Sequence, residues 1–560
     1  MIILALVIFF LALLIVLRLF SLQVIQHDFY LALATQKHEV YKDLFPQRGS
    51  IYVREKGELY PLVASRDYYL VYAEPSKIED AGAVIDAITP VLGLEKAEWQ
   101  ELLGRLNKKA DPYEPIKHKA TKQQADQIKE KNLAGIGFTP EPYRFYPETG
   151  IGGHIFGFVG NKDDKIAGQY GLEGYFNKEL AGRPGLIKSF KDALGSLITI
   201  GSRSIKKAEN GSDLVLTIDR QVQFTACLKL KEYTEKFQAE GGTVIIMRPT
   251  GAILAMCSLP DFDPEKYNEV AEINYLNNPA IFTAFEPGSV FKAFTMAAGL
   301  DTGQVSPETT YFDKGERKVE PYTLKNSDNK AHGTTTMSQV LEKSLNLGAI
   351  FVEQTVGKEI FKKYLSDFGF GKKSGIELDT EMPGDLSSLN KRGDIFGMTA
   401  SYGQGITVTP LQLASAFAAI ANQGKLVKPY IVSEIIKPGG EKEIFQPREV
   451  RQVMSPKTAA ILTGMLISVV ENGYGKLAKV KGYYLGGKTG TAEVASPGGG
   501  YGEKTIHTFI GFGPVSKPEF VMLTKLDNPK GPRFAESSSV PLFGELAQYL
   551  LNYYQVPPDY

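Results

Sequence analysis

Glu286-Pro287-Gly288-Ser289-Val290-Phe291-Lys292 places a hydroxyl and an amine three residues apart, just past a Pro-Gly turn. Val290, Phe291, Ala293, Phe294, Met296, Ala297, Ala298 and Leu300 then make the chain apolar on nearly every face, so residues 290–300 are expected to form a helix buried all round. Side chains at i and i+3 share one helix face, which stacks Ser289 and Lys292. Ser289 falls in the first turn, where backbone N–H groups lack intrahelical partners and can face an oxyanion. Burial in an apolar helix lowers an ammonium pKa, leaving a neutral amine to take the serine proton. The chemistry expected of this segment is nucleophilic attack by a serine with a lysine base. Ser204 and Lys207 share the spacing, but in a polar stretch with no apolar helix behind them, and are discounted.

Two further clusters complement this one. Ser344-Leu345-Asn346 sets a hydroxyl and a carboxamide two residues apart, able to relay a proton and hold a substrate amide. Ser327-Asp328-Asn329 and Ser388-Leu389-Asn390 have the same form, so the triplet alone decides nothing. In Gly486-Gly487-Lys488-Thr489-Gly490-Thr491, a cation and two hydroxyls lie on one strand, with glycines that let another backbone approach closely. Such an edge can take an extended peptide as an added strand and bind its carboxylate. Lys373-Ser374-Gly375 repeats that triplet in a turn-like setting.

The elements that must position these residues mix strands and helices without a regular βαβ cadence. Residues 243–247 and 252–257 flank the turn Arg248-Pro249-Thr250-Gly251 and read as an antiparallel hairpin. Strands are expected at 486–494 and 505–513, and long helices at 221–237 and 409–421. The fold class is α+β, an antiparallel sheet with helices on its faces. A polar, basic stretch around residues 200–211 divides the chain into an N-terminal module at 26–205 and a domain at 206–560.

Residues 1–17 carry no polar side chain except the thioether of Met1, and an apolar stripe continues past Arg18 to residue 25. As a helix, 17 residues span roughly 25 Å, nearly a bilayer. An uncleaved transmembrane anchor at 1–25 is therefore expected, since the small-residue triplet Ala32-Leu33-Ala34 lies too far downstream for a signal peptidase. The polar remainder is expected on the extracytoplasmic side. Basic and acidic residues balance at 63 each, which disfavours nucleic acid as a partner. The histidines are scattered, and Cys227 and Cys257 lack metal-ligand spacing, so no metal site is expected. Both cysteines read as buried packing residues.

The order Ser-x-x-Lys, Ser-x-Asn, Lys-Thr-Gly resembles that of the penicillin-recognising serine enzymes. Taken with Arg48-Gly49-Ser50-Ile51, Gly168-Gln169-Tyr170-Gly171-Leu172-Glu173-Gly174 and Tyr402-Gly403-Gln404-Gly405-Ile406-Thr407-Val408-Thr409-Pro410, the whole chain resembles a class B penicillin-binding protein. It departs from that family's usual Arg-Gly-x-Ile-x-Asp-Arg-x-Gly pattern, with Tyr52-Val53-Arg54-Glu55-Lys56-Gly57 standing in its place. The resemblance implies a peptidoglycan D,D-transpeptidase with a penicillin-binding domain on an elongated pedestal module. It implies Ser289 as nucleophile, Lys292 as base, Ser344 and Lys488 as proton relay, and Asn346 as the holder of the donor amide. It assigns Thr489, Gly490 and Thr491 to substrate binding and the N–H groups of Ser289 and Thr491 to the oxyanion hole. No cofactor is implied. The implied partners are D-Ala-D-Ala stem peptides, β-lactams and a membrane-embedded glycan polymerase. Glu-Pro-Gly-Ser and the modest length lean toward division over elongation. The alternatives are a scaffold that activates the polymerase, or a serine β-lactamase. Against the latter, Leu386-Ser387-Ser388-Leu389-Asn390 lacks the glutamate of a deacylating Glu-x-x-Leu-Asn loop.

Overall fold

The computed structural model describes residues 39–44, 46–111, 113–148, 150–162, 165–190, 204–495 and 500–560. The expected anchor lies outside them; among the described residues no helix is long and apolar enough to cross a membrane. The chain divides into two units, Met1–Arg48 with Ala181–Ser212, and Gly49–Leu180 with Asp213–Tyr560. In the first, strands Glu39–Leu44, Gly185–Phe190 and Ser204–Lys206 form an antiparallel sheet in that order. Ser204, of the discounted Ser-x-x-Lys copy, thus begins a strand.

The second unit holds two large sheets. In one, Asp213–Leu216 pairs in parallel with Ile51–Glu55 and antiparallel with Val432–Ile436. That sheet continues through Glu58–Ala73 to Glu114–Ala120 and Ile136–Phe145. Backbone hydrogen bonds therefore join residues 51–55 to the strand that opens the C-terminal half, which is why 49–180 and 213–560 cluster together. Arg144 and Glu173, 5% and 0% exposed, form a buried ion pair at 2.6 Å beside this sheet. Glu173 comes from the Gly168 to Gly174 segment, and Arg144 also reaches Ser65 Oγ at 3.2 Å.

The other sheet carries the candidate chemistry. Its strands are β1 (Gly241–Met247), β2 (Ile253–Leu259), β3 (Gly486–Ala495), β4 (Tyr501–Gly513) and β5 (Phe520–Asp527), antiparallel throughout in the order β2-β1-β5-β4-β3. The helices around it are α1 (Arg220–Lys236), α2 (Lys292–Asp301), α3 (Asn346–Val356), α4 (Pro410–Ala421), α5 (Pro456–Glu471) and α6 (Ser539–Tyr553). Alternate side chains enter opposite cores. Ile245, Met247, Ile510, Phe512, Val521 and Leu523 pack toward α2, α4 and α5. Val244, Ile246, Phe509, Phe520, Met522 and Leu526 pack toward α1 and α6. With both faces covered, every residue of β1 is buried. The expected hairpin at 243–257 is β1 and β2, and the expected long helices are α1 and α4. The apolar helix starts differently: a 3-10 turn spans Gly288–Phe291 and α-helical geometry begins at Lys292.

The cysteines require a correction. Cys227 on α1 and Cys257 on β2 form a disulfide across 30 residues, with Cα atoms 5.4 Å apart. The linear spacing hid it because only the packing of α1 on β2 brings the two together. Closing a loop of that size stabilises by about 3 to 4 kcal/mol in the chain-entropy account. Replacing both cysteines by alanine is expected to lower the unfolding free energy of the unit that holds them by about that amount, read as a lower denaturant midpoint; an unchanged midpoint in urea titrations would show that the link contributes nothing.

Candidate active site

The nucleophile turn is shaped by close backbone packing. Gly288 has φ +59°, a conformation L side chains rarely adopt, and its N–H donates to Gly403 O at 3.0 Å. Gly403, at φ +82°, lies so close that a Cβ there would sit 2.2 Å from Gly288 O. This turn leaves Ser289 partly exposed while α2 carries Lys292 inward, 1% exposed. Lys292 Nζ lies 2.8 Å from Ser289 Oγ, so the pair expected from the i, i+3 spacing meets.

Ser344 reaches the same amine from the chain just before α3. It is a non-glycine residue at φ +55°. That conformation turns its carbonyl oxygen to within 2.5 Å of Lys292 Nζ and its Oγ to 3.2 Å. Lys488 on β3, fully buried, donates from Nζ to Ser344 Oγ at 2.9 Å, and to Thr489 O and Oγ1 at 3.1 and 3.2 Å. Ser289, Lys292, Ser344, Lys488 and Thr489 therefore form one continuous chain of polar contacts. Burial pulls Lys292 well below the ordinary lysine pKa, and the neighbouring Lys488 lowers it further. Burial alone brings Lys488 to about 7.

The remaining expected residues flank this chain. Asn346 opens α3 and its Nδ2 donates to Lys325 O at 2.8 Å, which fixes the amide against the strand Tyr322–Lys325. Gly490 is where β3 presses on the nucleophile turn: a Cβ there would lie 2.9 Å from Val290 Cγ1 and 3.0 Å from Pro287 O. Thr491 Oγ1 accepts from Ala535 N at 3.0 Å. Two of the repeated triplets lie elsewhere. The Ser374 and Gly375 N–H groups donate to the Glu381 carboxylate in a turn, and Ser388 sits in the 3-10 segment Ser387–Asn390.

Sequence reasoning passed over Glu286 as a side chain. One carboxylate oxygen accepts from Gly405 N–H at 3.1 Å and the other from Tyr501 O–H at 3.0 Å. Its place directly before the Pro-Gly turn was the one available signal, and that says nothing of partners more than 100 residues away.

Comparison with known proteins agrees with this geometry. Residues 241–548 match the penicillin binding protein transpeptidase domain, and residues 43–216 the penicillin-binding protein dimerisation domain. Stage V sporulation protein D of Bacillus subtilis is 32% identical over 520 residues, 92% of this chain and 79% of that protein. Peptidoglycan D,D-transpeptidase FtsI of Escherichia coli is 29% identical, over 89% of this chain and 83% of its own. The crystal structure of a peptidoglycan synthetase from Bifidobacterium adolescentis superposes with a TM-score of 0.73 at 27% identity, covering 93% of this chain and 98% of that one. The chain belongs to the penicillin-binding protein transpeptidases. Its dimerisation domain ahead of the transpeptidase domain makes it a class B member.

Proposed function

We propose that this chain is a peptidoglycan D,D-transpeptidase that works through an acyl-enzyme on Ser289. The observation that carries the reading is the 2.8 Å contact between Ser289 Oγ and a buried, pKa-depressed Lys292. Ser289 attacks the carbonyl of the penultimate D-Ala of a donor stem peptide while its proton passes to Lys292. Ser289 and Thr491 N–H groups hold the oxyanion, a role worth about 2.7 to 4 kcal/mol per donor. The tetrahedral intermediate collapses as the C–N bond breaks. Ser344, between the two lysines, protonates the departing D-Ala amine, and an ester on Ser289 remains. The acceptor amine attacks that ester, loses a proton to the same relay, and leaves an amide cross-link with Ser289 restored.

Asn346 holds the donor amide, Thr489 and Thr491 receive the terminal carboxylate, and Lys488 supports the Ser344 relay through its contact with Ser344 Oγ. Gly490 lets the strand close on the nucleophile turn, and the Thr491 hydroxyl, already an acceptor from Ala535, has its proton to donate. A β-lactam presents a carbonyl and a carboxylate at the same separation and would be trapped as a slowly hydrolysed ester, a reading supported by the absence of glutamate from Leu386-Ser387-Ser388-Leu389-Asn390.

The proposal extends to architecture: an anchor at 1–25, a pedestal at 26–205 and the penicillin-binding domain at 206–560, the last two outside the cytoplasmic membrane. The Cys227–Cys257 disulfide supports an oxidising compartment. A membrane-embedded glycan polymerase supplying uncross-linked strands is the expected partner, with a division-type role carried by the Glu-Pro-Gly-Ser form. Full-length protein incubated with glycan strands bearing pentapeptide stems is expected to release D-Ala and form cross-linked muropeptides, both blocked by penicillin. Strands that keep their terminal D-Ala would overturn the reading.

A further inference from the structure

Glu286 is a partly buried carboxylate that the acyl-transfer steps do not use. It stands where three segments meet. The first is the nucleophile turn, of which Glu286 is the leading residue. The second is the 402–408 segment, tied to that turn by Gly288 N–H to Gly403 O and by reciprocal Phe285 and Val408 backbone bonds, all at 3.0 Å, and to Glu286 itself through Gly405 N–H. The third is the β3-β4 hairpin, which Glu286 reaches through the hydroxyl of Tyr501, the first residue of β4.

The hairpin needs such a tie. Strand β3 is the sheet edge and carries Lys488 to Thr491 on its inner half, where glycine contacts press it onto the turn. Farther out the ladder is irregular: the register shifts between Glu493 and Ala495 before Ala495 pairs with Tyr501. Beyond that irregularity, the Tyr501 hydroxyl on Glu286 is the side-chain hydrogen bond, among those described, that links this end of the hairpin to the nucleophile turn. Tyr501 is 44% exposed, and its partial burial together with the adjacent Glu286 carboxylate pushes its pKa up, so the phenol stays protonated and donates.

We propose that Glu286 and Tyr501 are a positioning pair that sets the width of the slot between Ser289 and the β3-β4 hairpin, and with it the attack distance to a peptide or β-lactam lying along β3. Neither residue exchanges a proton with substrate; each acts through where it holds the strand. Misplacing reacting groups by about 1 Å costs on the order of 100-fold in rate, so loosening the pair is felt in the chemical step. The inference rests on the acyl-enzyme reading above.

The test uses the full-length chain and a fluorescent penicillin, with stopped-flow traces resolved into the dissociation constant of the first complex and the acylation rate constant. Tyr501→Phe keeps the ring and deletes the hydroxyl. It is expected to lower the acylation rate constant about 10-fold with the dissociation constant changed less than about twofold and the melting temperature unchanged. Tyr501→Ala is expected to be no slower than Tyr501→Phe by more than about twofold, because the hydroxyl carries the effect. Glu286→Gln with Tyr501→Phe is expected to be no worse than the more damaging single change, since Glu286→Gln weakens the same contact that Tyr501→Phe deletes. Wild-type rate in Tyr501→Phe, losses that multiply in the double variant, or a rate loss matched by weaker binding and a lower melting temperature would each overturn the positioning role. A wild-type chain that forms no adduct would instead overturn the acyl-enzyme reading beneath it.

Discussion

The Ser289→Ala chain will show no covalent penicillin adduct by intact-protein mass spectrometry, while the wild type gains the mass of one opened drug molecule that peptide mapping places on Ser289. The loss follows from the geometry. Lys292 Nζ lies 2.8 Å from Ser289 Oγ, and the hydroxyls that share the polar chain, Ser344 and Thr489, are 7% exposed. Neither can substitute for a partly exposed nucleophile at the start of a helix. D-Ala release is expected to fall by roughly 10⁴-fold or more, as when a nucleophile is removed from a Ser-His-Asp site. Only one oxygen atom is deleted from a partly exposed position, so the melting temperature should move little. Equal labelling of Ser289→Ala and wild type would remove the enzyme reading altogether.

Residues close together in sequence gave up their arrangement readily. Ser289 and Lys292 meet because three residues is one helical turn, and this holds even though the turn begins as 3-10. The hairpin of β1 and β2 was readable from turn chemistry between two apolar runs. That Lys488 would lie 2.9 Å from Ser344, 144 residues away, was not readable from spacing; it entered only through the resemblance. Two other features had no local signature. The Cys227–Cys257 disulfide depends on the packing of α1 against β2, and the Glu286–Tyr501 contact joins residues 215 apart. Asp213–Leu216, just past the shift in composition near residue 205, bonds to Ile51–Glu55 as well as to Val432–Ile436, a pairing that had no local signature. Composition records solvent exposure along the chain and carries no information on which distant strand supplies an edge.

Lys292→Met is expected to lower the acylation rate constant by about 10²- to 10⁴-fold, the range for loss of a general base, with little change in the first, non-covalent complex. Methionine matches the lysine stem in volume, so the packing around α2 survives. The distinguishing measurement is the pH profile. The reactive form of Lys292 is the neutral amine, and burial with the adjacent Lys488 holds its pKa well below the ordinary lysine value. Acylation by wild type should therefore be full above that depressed pKa and fall as pH drops through it, while Lys292→Met shows no such limb. Lys488 supplies an independent handle, because its charge is one of the two causes that lower Lys292. In Lys488→Met that repulsion is gone and burial alone acts, so the Lys292 amine holds its proton to higher pH and the acid limb moves upward. The rate at the plateau also drops as the Ser344 relay loses a partner. A limb that moves downward in Lys488→Met, or one that persists in Lys292→Met, would assign the titration to another group and dismiss the lysine as base.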